Sequence, residues 1–337
     1  MPLNFEQFLT PIRKLHEIIR DKVVESCEEN SMDELSKVAR ETTADTIYTI
    51  DKISEELIID YLDKEIAKSF PLILIAEGLP GGKITLPNSS SEEEAVLRII
   101  IDPIDGTRGL MYQKRSAWIL TGLAPNKGNS TKLSDIEFAI QTEIPMIKQH
   151  LSDMIWAFKG REAHAERLNR LTGEVCSIKF APSKAPTIKH GFATISRFVP
   201  GARDILSTID EEITRKALGP IHKSKALCFE DQYICTGGQF YELMAGHDRF
   251  IADFRPLIEP ILADKGSALG LCCHPYDVCT ELIARELGVI ITDENGNQLS
   301  SNLSVDENVT WIGYANKYIQ SQIEPHLRNA FKKYLGK

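Results

Sequence analysis

Residues 97–107 constrain the fold of this chain more than any other segment, with the sequence Leu-Arg-Ile-Ile-Ile-Asp-Pro-Ile-Asp-Gly-Thr. An apolar, β-branched run that ends at Asp-Pro predicts a buried strand followed by a tight turn. Pro103 fixes φ and Gly106 permits a backbone conformation that other residues resist, so Asp102 and Asp105 are held together at the strand end. Carboxylates placed in this way can share a hard divalent cation.

Thr107 adds a second chemical feature to this turn. Its hydroxyl can cap a short helix whose free N–H groups would bind a phosphate. An ordinary Asp-rich turn is the simpler interpretation, and Asp-Pro or Asp-Gly alone supports no more than that. The complete order of residues 102–107 favours a functional site.

Residues 102–107, Asp-Pro-Ile-Asp-Gly-Thr, resemble the signature of the inositol monophosphatase superfamily. Segments 45–51, 74–78 and 275–278 resemble further motifs of that family in the same order. The superfamily includes inositol monophosphatases, fructose-1,6-bisphosphatases and 3'-phosphoadenosine-5'-phosphate phosphatases. The resemblance therefore implies a magnesium-dependent phosphomonoesterase with a layered αβαβα fold of the sugar-phosphatase type, part α+β and part α/β.

The chain is expected to have two halves. Strand-like segments between residues 117 and 180 suggest an antiparallel sheet, whereas strands and helices alternate after residue 190, which favours an α/β layer. The polar, proline-bearing segment 181–186 is the best boundary between them. We therefore expect an N-terminal α+β half, 1–183, with most metal ligands, and a C-terminal α/β half, 184–337, with Asp277 and the leaving-group pocket.

Composition narrows the expected partners. The formal net charge of -9 argues against nucleic acid, because phosphate backbones attract basic surfaces. No run is long enough to cross a bilayer, and the N-terminus lacks the basic-then-apolar order of a signal peptide. We expect a cytoplasmic protein with a small phosphorylated metabolite as its partner and no membrane association, and the resemblance allows a homodimer.

The resemblance also implies a set of metal ligands. Glu77, Asp102 and the carbonyl of Ile104 would bind a first Mg²⁺, and Asp102, Asp105 and Asp277 a second, with a third ion allowed near Glu77. This all-oxygen set fits Mg²⁺ or Mn²⁺ and fits zinc poorly. From the residues alone, each has a simpler role than metal binding. Asp277 also suits a helix cap, and Glu77 also suits a charge at the end of a strand.

The catalytic roles come from the same resemblance. Metal-activated water, oriented by Thr107 and Glu77, would attack phosphorus in line, while the N–H groups of Gly106 and Thr107 hold phosphate oxygens. Asp51 would hydrogen-bond Thr107 and so prime the water. A cap on the helix that starts near residue 52 is the alternative role for Asp51.

Substrate binding is less strongly specified. Arg108 can recruit an anionic substrate or pair with a surface carboxylate, and the two interpretations weigh equally. Gly237 and Gly238 lie where the family contacts the leaving group. Asp253 and Arg255 lie near them in the sequence and can influence specificity.

Several positions depart from the family pattern. The usual paired Glu is Glu77-Gly78 here, so one acidic side chain is lost. Gly270 occupies the position where inositol monophosphatases use a Glu to bind the inositol hydroxyls, which argues against inositol 1-phosphate as the substrate.

The cysteines do not suggest a second site. The spacing of the seven cysteines fits neither a disulfide framework nor a zinc site. Cys272-Cys273-His274 invites a soft-metal or nucleophile interpretation, but free Cys is commonly a small buried hydrophobe, and we favour that role.

The leading hypothesis is a Mg²⁺-dependent phosphatase for a small sugar, polyol or nucleotide phosphate. One alternative is a 3'-phosphoadenosine-5'-phosphate phosphatase, which would need an adenine slot. The other is a catalytically silent metal-binding regulatory or scaffold protein.

Overall fold

The computed structural model describes residues 3–36, 38–41, 46–48, 52–220 and 225–336, and only the backbone of 38–41, 46–48 and 52–54. Its helices are α1 (Leu9–Glu29), α2 (Met32–Leu35), α3 (Lys52–Leu62), α4 (Thr107–Met111), α5 (Arg203–Leu218), α6 (Thr236–Met244), α7 (Glu259–Ala263), α8 (Pro275–Val278), α9 (Glu281–Glu286) and α10 (Lys317–Ala330). Its strands are β1 (Val38–Glu41), β2 (Thr46–Tyr48), β3 (Leu72–Ile75), β4 (Lys83–Leu86), β5 (Leu97–Asp105), β6 (Ala117–Pro125), β7 (Phe138–Ile144), β8 (Leu151–Phe158), β9 (His164–Asn169), β10 (Val175–Ile178), β11 (Phe192–Ile195), β12 (Asp248–Asp253), β13 (Ile290–Thr292) and β14 (Trp311–Tyr314).

The larger sheet has eight strands in the order β10-β9-β8-β7-β6-β5-β3-β4. All neighbours are antiparallel except β3 and β5, which run parallel with Leu72 opposite Leu97. The antiparallel sheet predicted from the strand pattern is therefore present. The single parallel pair carries the C-terminal ends of β3 and β5 to the same edge, where Glu77 and Asp102 lie.

The smaller sheet has four strands in the order β11-β12-β14-β13. The predicted alternation of helices and strands is present, but only β11 and β12 pair in parallel, and β14 is antiparallel to both of its neighbours. The sheet is therefore mixed. The reason is that β14 follows β13 through an irregular segment with no helix between them, so no right-handed crossover is formed.

Three hydrophobic cores lie between five layers, and the second of them fills both sides of the layer formed by α6 and α9. In β3 the alternation of the strand sends Leu72 and Leu74 into the core beneath α1 and α3, and Ile73 and Ile75 into the core that faces α6 and α9. The third core lies between the smaller sheet and the helices α5 and α10. The layers thus follow the order helix, sheet, helix, sheet, helix, which confirms the αβαβα fold predicted from the resemblance.

Helix α1 forms because apolar residues recur at helical spacing on the face that meets the larger sheet. Ile12, Leu15, Ile19 and Val23 are all buried there. Burying one such side chain stabilises the fold by roughly 1.5–3 kcal/mol. His16 lies on the same face, with Nδ1 2.9 Å from Oγ1 of Thr142 and Nε2 2.8 Å from Oγ1 of Thr121.

The sequence predicts one helix over residues 278–287, but the structure divides this region in two. Helix α8 begins earlier, at Pro275, and ends at Val278, while α9 begins at Glu281. Between them, Thr280 donates a hydrogen bond to Oε1 of Gln141 at 3.1 Å. A sequence period does not reveal this tertiary contact. No helix in the described ranges is long and apolar enough to cross a membrane.

The burial of His16 predicts a pH-dependent stability. Desolvation, followed by the charge of Arg20, lowers its pKa from 6.5 to about 3, so between these values the unfolded chain binds a proton that the folded chain excludes. The contribution of uncharged His16 to the free energy of unfolding is fully present above pH 6.5. It is lost as the pH falls, and the loss reaches about 2 kcal/mol at pH 5. We expect urea unfolding between pH 7 and pH 5 to show this loss in the parent protein and not in His16→Gln. Equal pH slopes in the two proteins would contradict it.

Candidate functional site

Three aspartates from two distant parts of the chain meet at the end of β5. Asp102 and Asp105 belong to β5, and Asp277 lies in α8. Each offers a carboxylate oxygen, and these oxygens lie within 4.8 Å of one another. The pairing of β5 with β6 is irregular between Asp102 and Asp105, which lets both side chains approach the same point.

Backbone N–H groups fix the orientation of this acidic triad, as we name Asp102, Asp105 and Asp277. Ile104 donates to Oδ1 of Asp102 at 3.0 Å, Gly237 to Oδ2 of Asp105 at 2.6 Å, and His274 to Oδ2 of Asp277 at 2.6 Å. Within the described part of the chain, no lysine or arginine forms a salt bridge with the triad. The carboxylates are therefore positioned by the backbone rather than by a counter-ion.

The position of the triad destabilises the charged forms of its three carboxylates. Burial, with a smaller contribution from the neighbouring carboxylates, raises the pKa of Asp102 and of Asp277 well above the usual range. Burial also raises the pKa of Asp105 to about 6, although the hydrogen bond from Gly237 opposes this. A cation held between the three carboxylates would remove the repulsion and favour their charged forms.

Gly106 and Thr107 shape the turn after β5. Gly106 has φ of +94°, and a Cβ on it would lie 2.9 Å from both Cβ and Sγ of Cys235. Thr107 begins α4, a helix of five residues, and its hydroxyl donates to the carbonyl of Ile104 at 2.7 Å. A carbonyl oxygen has two lone pairs, so Ile104 retains acceptor capacity for the cation that the sequence predicts there.

Glu77 follows β3, and a second glutamate lies beside it. Gly78 has φ of +90°, and a side chain on it would overlap the carboxylate of Glu55, a residue in the first turn of α3. Both glutamates line the same cleft as the triad. The acidic side chain that Gly78 lacks is thus replaced in space by one from a separate helix.

The triad faces a cleft of about 930 Å³, counted out to the solvent. Most of the predicted site residues line it: Glu77, Asp102, Ile104, Asp105, Gly106, Thr107, Arg108 and Asp277. Asp51 lies outside the described residues. Its role stays a prediction.

Gly237 and Gly238 lie behind the cleft wall rather than in it. Both are buried in the first turn of α6, and a Cβ on Gly237 would lie 2.5 Å from Cδ2 of Leu120. Thr236 and Cys235 line the cleft in their place. The predicted contact of Gly237 and Gly238 with substrate stays untested, and their placement favours the support of Asp105.

The donor atoms of the site fit a hard cation. Burial holds the pKa of the Cys235 and Cys273 thiols well above the usual range and raises that of Cys272 to about 11. The thiol of Cys235 donates to the carbonyl of Asp105 at 3.2 Å, so it is engaged with the backbone. Nδ1 of His274 lies 3.1 Å from the carbonyl of Glu307, so this ring atom is engaged with the backbone. Carboxylate oxygens are the remaining strong donors, and Mg²⁺ and Mn²⁺ prefer them.

Arg255 is held in the wall of the cleft. Its Nε donates to Oδ1 of Asp253 at 2.8 Å, and an Nη atom donates to the carbonyl of Leu271 at 2.7 Å. Its guanidinium carbon lies 4.4 Å from the ring centroid of Phe198. The sequence identified Arg255 only by its closeness to Gly237 along the chain.

Other lining residues were not found from the sequence. They are Glu55, Phe198, Ile234, Thr236 and Leu271. Apart from Ile234 and Thr236, which lie just before Gly237, they come from separate parts of the chain. For Glu55 the missing acidic residue at Gly78 was the only available signal.

The comparisons with known proteins agree with this architecture. No family model and no curated protein sequence matches the chain. A fructose-1,6-bisphosphatase from Leishmania major in holo form has a TM-score of 0.67 at 13% identity, covering 96% of this chain and 93% of that one. The extragenic suppressor protein SuhB from Bartonella henselae has a TM-score of 0.63 at 15% identity, covering 96% and 98%. An IMPase from Thermotoga maritima has a TM-score of 0.59 at 13% identity, covering 97% and 100%.

At these identities the likeness establishes the fold. The fold that the resemblance implied is therefore confirmed across almost the whole chain.

The packing around Gly106 predicts the effect of adding a single methyl group there. Gly106→Ala should lower the free energy of unfolding by about 2–4 kcal/mol, because a left-handed backbone and a collision with Cys235 act together. Gly128→Ala is the matched control, since Gly128 has φ of +64° but nothing within 4 Å of the added Cβ, and it should cost only about 1–2 kcal/mol. Urea unfolding measures both. Equal losses would show that the contact with Cys235 is unimportant.

Proposed function

We propose that this chain is a Mg²⁺-dependent phosphomonoesterase that hydrolyses a small sugar, polyol or nucleotide phosphate. The observation that carries the proposal is the acidic triad, in which Asp105 is buried and Asp102 and Asp277 are half-buried, and which faces a cleft in a fold shared with proteins named inositol monophosphatase and fructose-1,6-bisphosphatase. A cluster of carboxylates with raised pKa values in a cleft is typical of functional sites. The same arrangement fits an enzyme whose substrate is an anion.

The triad would hold the cation, with Glu77 and the carbonyl of Ile104 as further ligands. Mg²⁺ is the expected ion, and Mn²⁺ is an acceptable substitute because both prefer oxygen donors. When bound, such a cation neutralises phosphate oxygens and generates a nucleophile from water near neutral pH.

The chain's own residues then position the reacting groups. The hydrogen bonds to Asp102, Asp105 and Asp277 keep the carboxylates in place, so little reorganisation is needed when a phosphate enters. Thr107 lies at the cleft surface, where its hydroxyl, which donates its proton to the carbonyl of Ile104, can accept a hydrogen bond from a water molecule and orient it. Arg108 adds positive charge at the same surface and would attract the phosphate.

Cation binding should stabilise the protein. A ligand that binds only the folded state adds about 2.7 kcal/mol at a concentration of 100 Kd. We expect Mg²⁺ to raise the free energy of unfolding of the parent protein in this way, and Asp105→Asn to remove most of the effect. Asp248→Asn is the control, because Asp248 is buried but does not line the cleft. A Mg²⁺ effect of equal size in Asp105→Asn would contradict the assignment of the triad.

Activity should depend on the same carboxylate. Phosphate release from a panel of phosphomonoesters should require Mg²⁺ and should stop in EDTA, and Asp105→Asn should reduce kcat/KM by at least about 100-fold. The panel contains inositol 1-phosphate, fructose 1,6-bisphosphate, 3'-phosphoadenosine-5'-phosphate, glucose phosphates and glycerol 3-phosphate. Asp248→Asn again serves as the control for folding.

The outcomes separate the candidate functions. Release from a panel member in Mg²⁺ alone would support the phosphatase and identify its substrate class. Stabilisation by Mg²⁺ with no release from any member would favour a metal-binding protein without turnover. Release that persists in EDTA would exclude the proposed chemistry.

A further inference from the structure

Gln141 is a polar residue in the core between the larger sheet and the helices α6 and α9. It lies in β7, is 0% exposed, and shares a face of the sheet with Leu120, the residue opposite it in β6. Leu120 in turn lies opposite Asp102 in β5. A buried amide without hydrogen-bond partners destabilises a fold, so the partners of Gln141 decide what it contributes.

Both ends of the Gln141 amide are engaged with segments that hold the acidic triad. Nε2 donates to the carbonyl of Gly237 at 2.7 Å, and Oε1 accepts a hydrogen bond from the hydroxyl of Thr280 at 3.1 Å. Gly237 is the residue whose N–H donates to Asp105. Thr280 lies between α8, which carries Asp277, and α9. One side chain therefore joins a support of Asp105 to the segment that follows Asp277.

The backbone approaches the larger sheet closely at both of these places. A Cβ on Gly237 would lie 2.5 Å from Cδ2 of Leu120 in β6. A Cβ on Gly122, also in β6, would lie 3.0 Å from the carbonyl oxygen of Cys279, the residue before Thr280. This close approach brings both backbone segments within reach of Gln141, which ties them to the sheet and to each other.

The tie opposes a repulsion that the triad itself generates. Its three carboxylate oxygens lie within 4.8 Å of one another and repel when they are charged. Apolar packing is non-directional, whereas a hydrogen bond requires a defined distance and angle. A buried polar group with its partners in place therefore favours one arrangement of the segments around it.

We propose that Gln141 is a positioning residue for the cation site, and that its two hydrogen bonds set the separation of Asp105 and Asp277 at which Mg²⁺ binds. The inference rests on the cation site of the proposed function and adds to it a residue that does not line the cleft. Gln141 acts through Gly237 and Thr280 and touches neither the cation nor the substrate. Loss of a residue that orients metal ligands weakens metal affinity or activity by about 10- to 100-fold.

Gln141→Met tests the proposal, because methionine has a similar length and lacks both the amide donor and the amide acceptor. Calorimetry should show that this variant binds Mg²⁺ about 10-fold more weakly than the parent protein. The Mg²⁺ concentration for half-maximal phosphate release should rise by the same factor, while kcat at saturating Mg²⁺ should recover most of the parent value. This split is expected because bound Mg²⁺ itself draws the carboxylates together.

Gln239→Met is the matched control. Gln239 lies in α6, is 2% exposed, and donates to Oγ of Ser196 at 3.1 Å and to the carbonyl of Tyr233 at 2.9 Å. It resembles Gln141 in its burial and in its two hydrogen bonds, but neither partner supports the triad. Both substitutions should lower the urea midpoint of unfolding, and only Gln141→Met should weaken Mg²⁺ binding.

Substitutions of Thr280 test the same link from its other end. Thr280→Val keeps the shape of the side chain and removes the hydroxyl, so Mg²⁺ binding should weaken, whereas Thr280→Ser keeps the hydroxyl and should keep the parent affinity. Adding Thr280→Val to Gln141→Met should cause little further loss, because the shared hydrogen bond is already absent. The Thr280 variants also decide the matter if Gln141→Met does not fold.

The outcomes distinguish this inference from the proposed function. A parent protein that does not bind Mg²⁺ would exclude the proposed function and the cation site with it. Mg²⁺ binding that weakens in Gln141→Met, with no phosphate release from any substrate, would contradict the phosphatase and still support the role of Gln141. Parent-like affinity in Gln141→Met and Thr280→Val, or an equal loss of affinity in Gln239→Met, would overturn the inference.

Discussion

The placement of three like charges at one point is the constraint on which the rest of the site depends. Asp102, Asp105 and Asp277 repel one another, and their burial, full for Asp105 and partial for the other two, removes part of the water that would screen them. The chain offsets part of this cost with N–H donors from Ile104, Gly237 and His274. The remaining cost is what makes the site attract a cation.

The same constraint explains the irregular features of the fold nearby. A regular antiparallel strand would send Asp102 and Asp105 to opposite faces, and the irregularity in β5 brings them together. The beginning of α6 must approach closely enough for Gly237 to reach Asp105, which leaves no space for a side chain. The glycines at Gly106 and Gly237 are therefore required by the packing around the triad.

Sequence reasoning succeeded where a single element decides the outcome. The buried strand β5 and the antiparallel strands between residues 117 and 180 both follow from the pattern of apolar residues along the chain. Sequence reasoning failed where contacts between distant elements decide the local structure. At the break between α8 and α9, Thr280 contacts Gln141, and the two positions differ by 139 residues. The cleft wall is a further case, because Phe198 and Arg255 follow β11 and β12, two strands that are distant in the sequence and pair in parallel.

Glu55 occupies the space that an acidic side chain at position 78 would fill, and this shows why a motif is an incomplete description of a site. Along the chain, glycine after Glu77 looks like the loss of a negative charge. In space, the left-handed backbone of Gly78 makes room for the carboxylate of Glu55 from α3. The charge near the cation position is set by what packs into that volume, and either a neighbouring residue or a distant helix can supply it. A departure from a motif therefore changes the electrostatics of a site only when no other element fills the space that it opens.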